Sequence, residues 1–364
     1  MKNKYQKIKI EGNEYFVVDS IQDLRAEDSF IYRKNKLAMY GGSGEARKYV
    51  GSYTGSKGEA LSNFFEYKKW GDCLGGDGKR IYPIIQSKCF FSRSNLLKYL
   101  NNAQTEYYKK EQIYNFDISE FYNQRLEKIT SMETDKVFFN IYDVSDLKEK
   151  KSSRGYIRSD ENIWKTWRTL ILPKISYLSI LKLVPVDSSQ DSTPLFYFRI
   201  LLDYQFRSIV HPQLLDSPII DTETGTIDSK KSPSREGQQK YRKGVIEHMP
   251  QCPFTKISDE RLLIASHIKP YRACIKESKI KESIDYLNGL ALSPTYDKLF
   301  DQGYITFTNK GELICGTLLT PYTWERLNIN PSAKNLLRIY PEDREKYLEY
   351  HRINVFQDDI NEFI

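Results

Sequence analysis

A short segment late in the chain constrains the fold more than any other feature. An apolar run from Leu262 to Ile268 is typical of a strand that carries a histidine near its end. A second apolar run follows an Asn-Gly pair at position 288, and a Ser-Pro pair at 293 supplies the N-cap and first residue of a helix that should stop at Gly303. The predicted order is therefore strand, loop, strand, helix.

Polar side chains of this segment form a pattern suited to phosphodiester hydrolysis. A neutral imidazole accepts the proton of an attacking water near pH 7, so His267 is the predicted general base. Asn288 lies opposite His267 if the strands pair, and we expect it to orient the imidazole. Asp297 falls in the first turn of the helix and Asp301 one turn later on the same face, where carboxylate oxygens suit a hard cation.

The motifs of this region resemble those of the HNH endonuclease family, also called the ββα-metal or His-metal finger family. They are SHIKPYR at 266–272, NGLALSPTYDKLFDQGYITF at 288–307 and RxGQxxYR at 235–242, with a weaker echo in YHRINVF at 350–356. The resemblance covers about residues 235–316 and is strongest to the restriction-endonuclease-like subgroup. It implies that His267 is the general base, that Asn288 orients it, and that Asp297 binds one Mg²⁺, for which Mn²⁺ can substitute.

Two departures from the family pattern bear on metal binding. Ser266 stands directly before the predicted base, where many members have an Asp or a second His as a ligand. One carboxylate, with waters and the substrate phosphate, would then hold the ion, and a contribution from Ser266 stays open. The cysteines of the segment stand singly rather than in Cys-x-x-Cys pairs, so we expect no zinc.

The charge of the chain favours a polyanionic partner without requiring one. There are 55 Lys and Arg against 48 Asp and Glu, a formal net charge of +7. Arg242, Lys269, Arg272 and Lys298 flank the proposed centre and are candidate ligands of DNA phosphates. Ordinary solvent-exposed charges would explain the same residues, so double-stranded DNA as the partner depends mainly on the motif.

The length of 364 residues exceeds what one core supports economically, so we expect several domains. The expected fold class is α+β, in which a C-terminal ββα-metal finger is joined to a mixed α/β N-terminal recognition region. The predicted division is a mixed domain for DNA recognition at 1–125, a strand-rich region for recognition or dimerisation at 126–220, a polar linker at 221–235, an HNH nuclease domain at 236–330 and a helical extension packed on it at 331–364.

Three functions are compatible with these observations. The first is a type II restriction endonuclease, which would be a homodimer if its target is palindromic. The second is a non-specific or modification-dependent defence nuclease, and the third is an inactive DNA-binding module, which Ser266 invites. The Glu-x-Lys pattern of another nuclease fold occurs at Glu66-Tyr67-Lys68 and Glu149-Lys150-Lys151, but such a short triplet arises by chance in a lysine-rich chain.

The expected location is the cytoplasm, with no membrane partner. The amino terminus is interrupted by charges every few residues, which does not suit a signal peptide. No uncharged apolar run approaches the roughly 18 residues of a membrane span. The five cysteines are scattered and odd in number, as in a reducing compartment.

Overall fold

The structure, a computed structural model, has two compact units, Gln6–Ser208 and Ile209–Ile364, the second including Met1–Tyr5. It describes residues 5–25, 45–49, 61–66, 69, 72–74, 81–83, 87–110, 117–141, 143–146, 154–159, 161–172, 175–187, 193–203, 206 and 235–364. Both units mix helices and strands, which confirms the α+β fold class. Within these ranges, no helix has the length and apolar character that crossing a bilayer would require.

A six-stranded sheet forms the centre of the unit 6–208. The strands of the unit are β1 (Lys7–Ile10), β2 (Asn13–Arg25), β3 (Glu45–Tyr49), β4 (Asp72–Leu74), β5 (Ile81–Pro83), β6 (Ser87–Ser92), β7 (Lys136–Ile141), β8 (Asp143–Asp146), β9 (Arg154–Arg158), β10 (Ser176–Pro185) and β11 (Leu195–Leu202). Its helices are α1 (Leu61–Phe64), α2 (Arg93–Tyr107), α3 (Phe121–Thr130) and α4 (Asn162–Leu170). The large sheet has the order β1-β2-β10-β11-β6-β7, and only β11 and β6 in it run parallel.

The large sheet crosses the boundary that the sequence analysis placed between residues 125 and 126. Strand β6 lies before that boundary and β7 after it, yet the two pair along their whole length, from Ser87 opposite Ile141 to Ser92 opposite Lys136. Phe91, Phe198 and Trp164 are buried together in one core. The two regions predicted at 1–125 and 126–220 are therefore one compact unit and not two domains.

The unit 209–364 contains the predicted strand, loop, strand, helix order. Its strands are β12 (Ile264–His267), β13 (Gly289–Leu292), β14 (Ile305–Phe307) and β15 (Leu313–Cys315). Its helices are α5 (Arg235–His248), α6 (Tyr271–Lys276), α7 (Ile280–Ser283), α8 (Pro294–Asp301), α9 (Pro321–Arg326) and α10 (Glu345–Tyr350), and a π-helical turn follows at His351–Val355. Strands β12 and β13 pair antiparallel, and α8 follows β13 directly.

Two glycines explain how closely this unit packs. A Cβ atom on Gly289 would lie 2.4 Å from Cγ2 of Val245, so only glycine lets α5 approach β13 at this point. Gly303 has a φ of +68°, and a Cβ atom there would lie 2.0 Å from the carbonyl oxygen of Val355. The helix α8 therefore stops where the sequence predicts, because Gly303 adopts the left-handed conformation that ends a helix and that glycine adopts most readily.

The C-terminal extension predicted at 331–364 belongs to the same compact unit as the domain predicted at 236–330. The main-chain amide of Leu313 donates to the carbonyl of Asn335 (2.8 Å), and that of Gln357 donates to the carbonyl of Gly303 (2.9 Å). Residues on both sides of position 330 therefore share one hydrogen-bonded framework. The linker predicted at 221–235 lies outside the described residues except for Arg235, which begins α5.

Candidate active site

A cavity of about 250 Å³ within the unit 209–364 brings together four of the eight predicted site residues, which are Arg242, His267, Asp297 and Asp301. Helices α5 and α8, strand β12 and the π-helical turn all contribute to its walls. The lining side chains with acid, base or hydroxyl groups include Ser266, His267, Asp297, Asp301 and His351. The imidazole and both predicted carboxylates thus face one shared space, although they are up to 34 positions apart in the chain.

The imidazole of His267 is held by a carbonyl and an aromatic ring. Its Nε2 lies 3.0 Å from the main-chain oxygen of Ser283, and its ring stacks on Tyr241 with centroids 4.3 Å apart. A carbonyl oxygen only accepts hydrogen bonds, so Nε2 carries the hydrogen in this contact. The neutral ring therefore has its lone pair on Nδ1, the nitrogen that can accept a proton from water.

The side-chain amide of Asn288 forms hydrogen bonds with the main chain of the loop between β12 and β13. Its Oδ1 accepts from the amide of Lys269 (2.7 Å), and its Nδ2 donates to the carbonyls of Lys269 and Glu282 (3.0 Å each). The side chain is fully buried. Its hydrogen bonds fix the main chain beside Ser283, whose carbonyl contacts the imidazole, and this geometry is the basis on which an orienting role for Asn288 can be proposed.

Replacing Asn288 with alanine should destabilise this unit. The change leaves two carbonyls and one amide without their buried partner, and each such loss costs about 1–3 kcal/mol, so we expect a total of about 3 kcal/mol. The midpoint of denaturant unfolding measures the effect. Asn361→Ala, at an exposed asparagine, is the control and should change the free energy of unfolding by less than about 0.5 kcal/mol. Equal midpoints for the two variants would contradict the assignment.

The two carboxylates of α8 supply oxygen donors that fit a hard cation. Asp297 and Asp301 are four residues apart, and both line the cavity. The hydroxyl of Ser266 donates to Oδ1 of Asp301 (3.2 Å), so it holds this carboxylate in place. Among the described residues, no three His, Cys, Asp or Glu side chains are grouped as a closed metal site. An ion at this site would complete its coordination with water and phosphate oxygens, as Mg²⁺ commonly does.

The negative charge of the cavity affects the pKa of a neighbouring phenol, that of Tyr241. Burial raises the pKa of Tyr241 well above its ordinary value, and the carboxylate of Asp301 raises it further. The hydroxyl of Tyr241 stays protonated and donates to the carbonyl of Asn288 (3.2 Å). A neutral, fixed phenol thus supports the imidazole that stacks on it.

Lys269 does not suit the phosphate-binding role that the sequence analysis gave it. Its side chain is only 4% exposed, and its Nζ lies 2.7 Å from Glu277 and 2.8 Å from Glu282. Burial alone would lower the pKa of Lys269, but its hydrogen bonds with the two carboxylates raise that pKa above its ordinary value. The charge is already compensated inside the protein, so the prediction that Lys269 binds DNA phosphate is wrong.

The other three predicted phosphate ligands have exposed positions. Arg242 lines the cavity and donates to the carbonyls of Leu263 (2.8 Å) and Glu260 (2.6 Å). Arg272 on α6 and Lys298 on α8 are both exposed. Contact of these residues with DNA stays a prediction.

His351 lines the cavity, although the sequence analysis gave it no role there. It is 1% exposed, its ring stacks on Phe300 with centroids 3.9 Å apart, and its Nε2 lies 3.1 Å from the carbonyl of Phe300. It therefore fixes the end of α8, next to Asp301. The YHRINVF echo at 350–356 was the signal that could have indicated this position.

The competing Glu-x-Lys patterns have no support in the described residues. The carboxylate of Glu66 lies 2.6 Å from Nζ of Lys182 and 2.7 Å from Nζ of Lys69, and these ion pairs lower the pKa of Glu66. Glu66 therefore joins α1 to β10. The other two residues of this triplet, and the whole triplet at 149–151, lie outside the described residues.

Comparison with protein families identifies the segment that contains the site. Residues 252–308 match the family described as HNH endonuclease. The match includes β12, β13 and α8, and with them His267, Asn288, Asp297 and Asp301. A search of curated proteins finds no match to the chain.

Proposed function

We propose that this chain is a metal-dependent enzyme that hydrolyses phosphodiester bonds in double-stranded DNA, because its residues 252–308 match the HNH endonuclease family. The family match supports a nuclease that acts on DNA. The general base and the metal are proposed from the geometry of the cavity, and the type of nuclease is proposed from the size of the unit 6–208.

The observation that carries the proposal is the convergence of an imidazole and two carboxylates on one cavity within the matched segment. His267 comes from β12, and Asp297 and Asp301 come from α8. A general base and an anionic pair of oxygen ligands, side by side, are the groups that hydrolysis of a phosphodiester requires. The alternative in which these residues serve separate structural purposes does not explain why they share one solvent-accessible space.

His267 is proposed to activate the attacking water. Its Nε2 is hydrogen-bonded to the carbonyl of Ser283, so Nδ1 takes the proton as the water oxygen attacks phosphorus. The imidazolium that forms carries positive charge next to the carboxylates of the cavity wall, which stabilises it. In this in-line attack the P–O3′ bond breaks as the new P–O bond forms, and the leaving 3′ oxygen takes a proton from solvent water, so the products carry a 5′ phosphate and a 3′ hydroxyl.

Asp297 is proposed to hold one Mg²⁺ ion, with Asp301 assisting, and Mn²⁺ can take its place. The cation supplies positive charge against the negative charge that develops on the phosphate oxygens and the leaving 3′ oxygen. Ser266 holds Asp301 through a hydrogen bond, and this is the role we assign to it. No zinc ion is part of the proposal.

Residues 6–208 are proposed to recognise the DNA target. A unit of this size is not needed for hydrolysis, and the simplest use for it is selection of a duplex sequence, as in a type II restriction endonuclease. If the target is palindromic, a homodimer would match two active sites to two strands.

Cleavage of plasmid and phage DNA tests the proposal. The full chain is incubated with several DNAs in the presence of Mg²⁺ or of EDTA, and products are separated by size. Discrete fragments that require Mg²⁺ support a restriction endonuclease, and a smear indicates a non-specific nuclease. Binding to DNA without cleavage in any condition contradicts the enzymatic proposal and favours the inactive DNA-binding module.

Exposed cations beside the cavity should contribute to the salt dependence of DNA binding. Each phosphate contact that is lost reduces the slope of log affinity against log salt by about 0.9. We expect this reduction for Lys298→Ala and for Arg272→Ala, measured by fluorescence anisotropy at several salt concentrations. Lys310→Ala is the control, because it removes the same charge from an exposed turn that has no cavity-lining residue beside it in the chain, whereas Arg272 follows Tyr271 and Lys298 follows Asp297. Three identical slopes would show that neither residue contacts phosphate.

A further inference from the structure

The loop between β12 and β13 is bridged twice by neighbouring residues. Nε2 of His267 donates to the carbonyl of Ser283 (3.0 Å). Lys269 follows His267 by two residues, and its Nζ donates to Oε2 of Glu282 (2.8 Å). Glu282 and Ser283 are adjacent in the chain. The two contacts therefore join the same two short segments, 267–269 and 282–283. Together with the main chain of these segments they form a closed ring.

The second carboxylate and the C-terminal helix enclose the lysine. Oε2 of Glu277 lies 2.7 Å from Nζ of Lys269, and the ring of Tyr350 on α10 lies 5.0 Å from the same atom. Nζ of Lys346, also on α10, lies 3.6 Å from Oε1 of Glu282. A buried ammonium group is tolerated only when its partners stay in place, so Lys269 constrains both glutamates strongly.

The loop needs such a constraint because its own secondary structure is short. Helix α6 has six residues and α7 has four, and helices of this length are not stable by themselves. Ser278 between them has a φ of +59°, which is unfavourable for a residue other than glycine. Tertiary contacts must therefore hold Ser283 at the imidazole.

We propose that Lys269, together with Glu277 and Glu282, is the positioning group of the general base. The ion cluster holds the loop so that the carbonyl of Ser283 accepts the hydrogen of Nε2, and this selects the tautomer of His267 with its lone pair on Nδ1. The inference rests on the proposed function in taking His267 as the base. It assigns to Lys269 a role inside the protein, where the sequence analysis predicted a contact with DNA.

Lys269→Met tests the proposal, because methionine keeps an unbranched side chain and removes the charge. A base displaced by as little as 1 Å can lose about 100-fold in rate, so we expect kcat to fall about 100-fold while KM changes less than about twofold. The ring ¹⁵N resonances should shift from the Nε2-H tautomer towards a mixture. They are assigned by their loss in His267→Ala, since the chain has only four histidines.

Lys276→Met is the matched control. Lys276 lies in the same loop, at the end of α6, and is exposed. The same substitution there should leave kcat, KM and the imidazole spectrum unchanged. A folded Lys269→Met protein that also behaves like the wild type in all three measurements would overturn the proposal.

Glu282→Gln keeps the test decisive if Lys269→Met does not fold. The carboxamide retains the shape of the side chain and weakens its bond to Lys269, so we expect a smaller decrease in kcat, about tenfold, with the same change of tautomer. Unchanged kcat and an unchanged spectrum in folded Glu282→Gln would overturn the proposal as well. The spectrum needs no turnover. A change of tautomer in a protein that cleaves no DNA would contradict the proposed function and support the positioning role.

Discussion

Replacing His267 with alanine should lower the rate of DNA cleavage by about 100- to 10,000-fold, the range that a general base contributes. The loss should appear in kcat, because the imidazole takes up the proton only as the water attacks. Affinity for duplex DNA, measured without divalent cation, should stay close to that of the wild type. The measurement is a single-turnover cleavage assay in the presence of Mg²⁺.

His248→Ala is the control for this experiment. His248 lies on α5 in the same unit, is exposed, and does not line the cavity. Its replacement removes an imidazole that contacts two tyrosine rings, tilted against Tyr286 and edge-on to Tyr340, without touching the site. If both variants cleave DNA at the wild-type rate, His267 is not the base and the mechanism proposed above fails.

The segment of β12, β13 and α8 could be predicted from the sequence, because the residue patterns that indicate it are local. An N-cap position at Ser293, a proline at the first helical residue and a glycine after the last turn all act within one helix, and the structure has α8 between these limits. The pairing of β12 with β13 joins segments separated by one loop, although its register puts His267 opposite Gly289 and not opposite Asn288, as the sequence analysis expected. Short-range rules are sufficient for features of this kind.

Strand partners in the unit 6–208 could not be predicted in the same way. The apolar runs at β10 and β11 were visible in the sequence, but β10 also pairs with β2, about 160 residues earlier in the chain. Alternation of apolar and polar residues says which face of a strand is buried and does not say which strand lies beside it. A boundary at 125/126 therefore looked reasonable and was wrong.

Lys269 shows why the environment of a charged residue is hard to predict from the sequence. The sequence predicts a solvated loop that contains Lys269, Glu277 and Glu282, because isolated charges are usually exposed. The burial of Lys269 depends on Asn288, which fixes the main chain around it, and on α10, which comes from a distant part of the sequence. A residue that sequence reasoning assigned to DNA is therefore part of the interior.

The cavity also depends on residues outside the segment that matches the family. Gln238, Tyr241 and Arg242 come from α5, and His351 and Val355 come from the π-helical turn. These two elements flank the matched segment 252–308 in the sequence. Local motifs can supply the reacting groups, while the walls that align those groups come from the rest of the unit.

Asp297→Asn should remove most of the metal-dependent activity. The amide keeps the size of the carboxylate but not its charge, so the affinity of the site for a hard cation falls. The cleavage rate at millimolar Mg²⁺ should drop by about 100-fold or more. The apparent metal requirement should shift to higher concentrations of Mn²⁺ and Mg²⁺, which a titration of cleavage rate against each metal measures.

A matched control and the role of Asp301 make this test specific. Asp343→Asn removes one exposed carboxylate from the same unit, at a position that does not line the cavity, and should leave the titration unchanged. Asp301→Asn should produce a smaller shift than Asp297→Asn, because one oxygen of Asp301 already accepts a hydrogen bond from Ser266. If Asp297→Asn cleaves DNA with the wild-type dependence on both metals, the cation is bound elsewhere, and the carboxylates of α8 serve to stabilise the imidazolium of His267 instead.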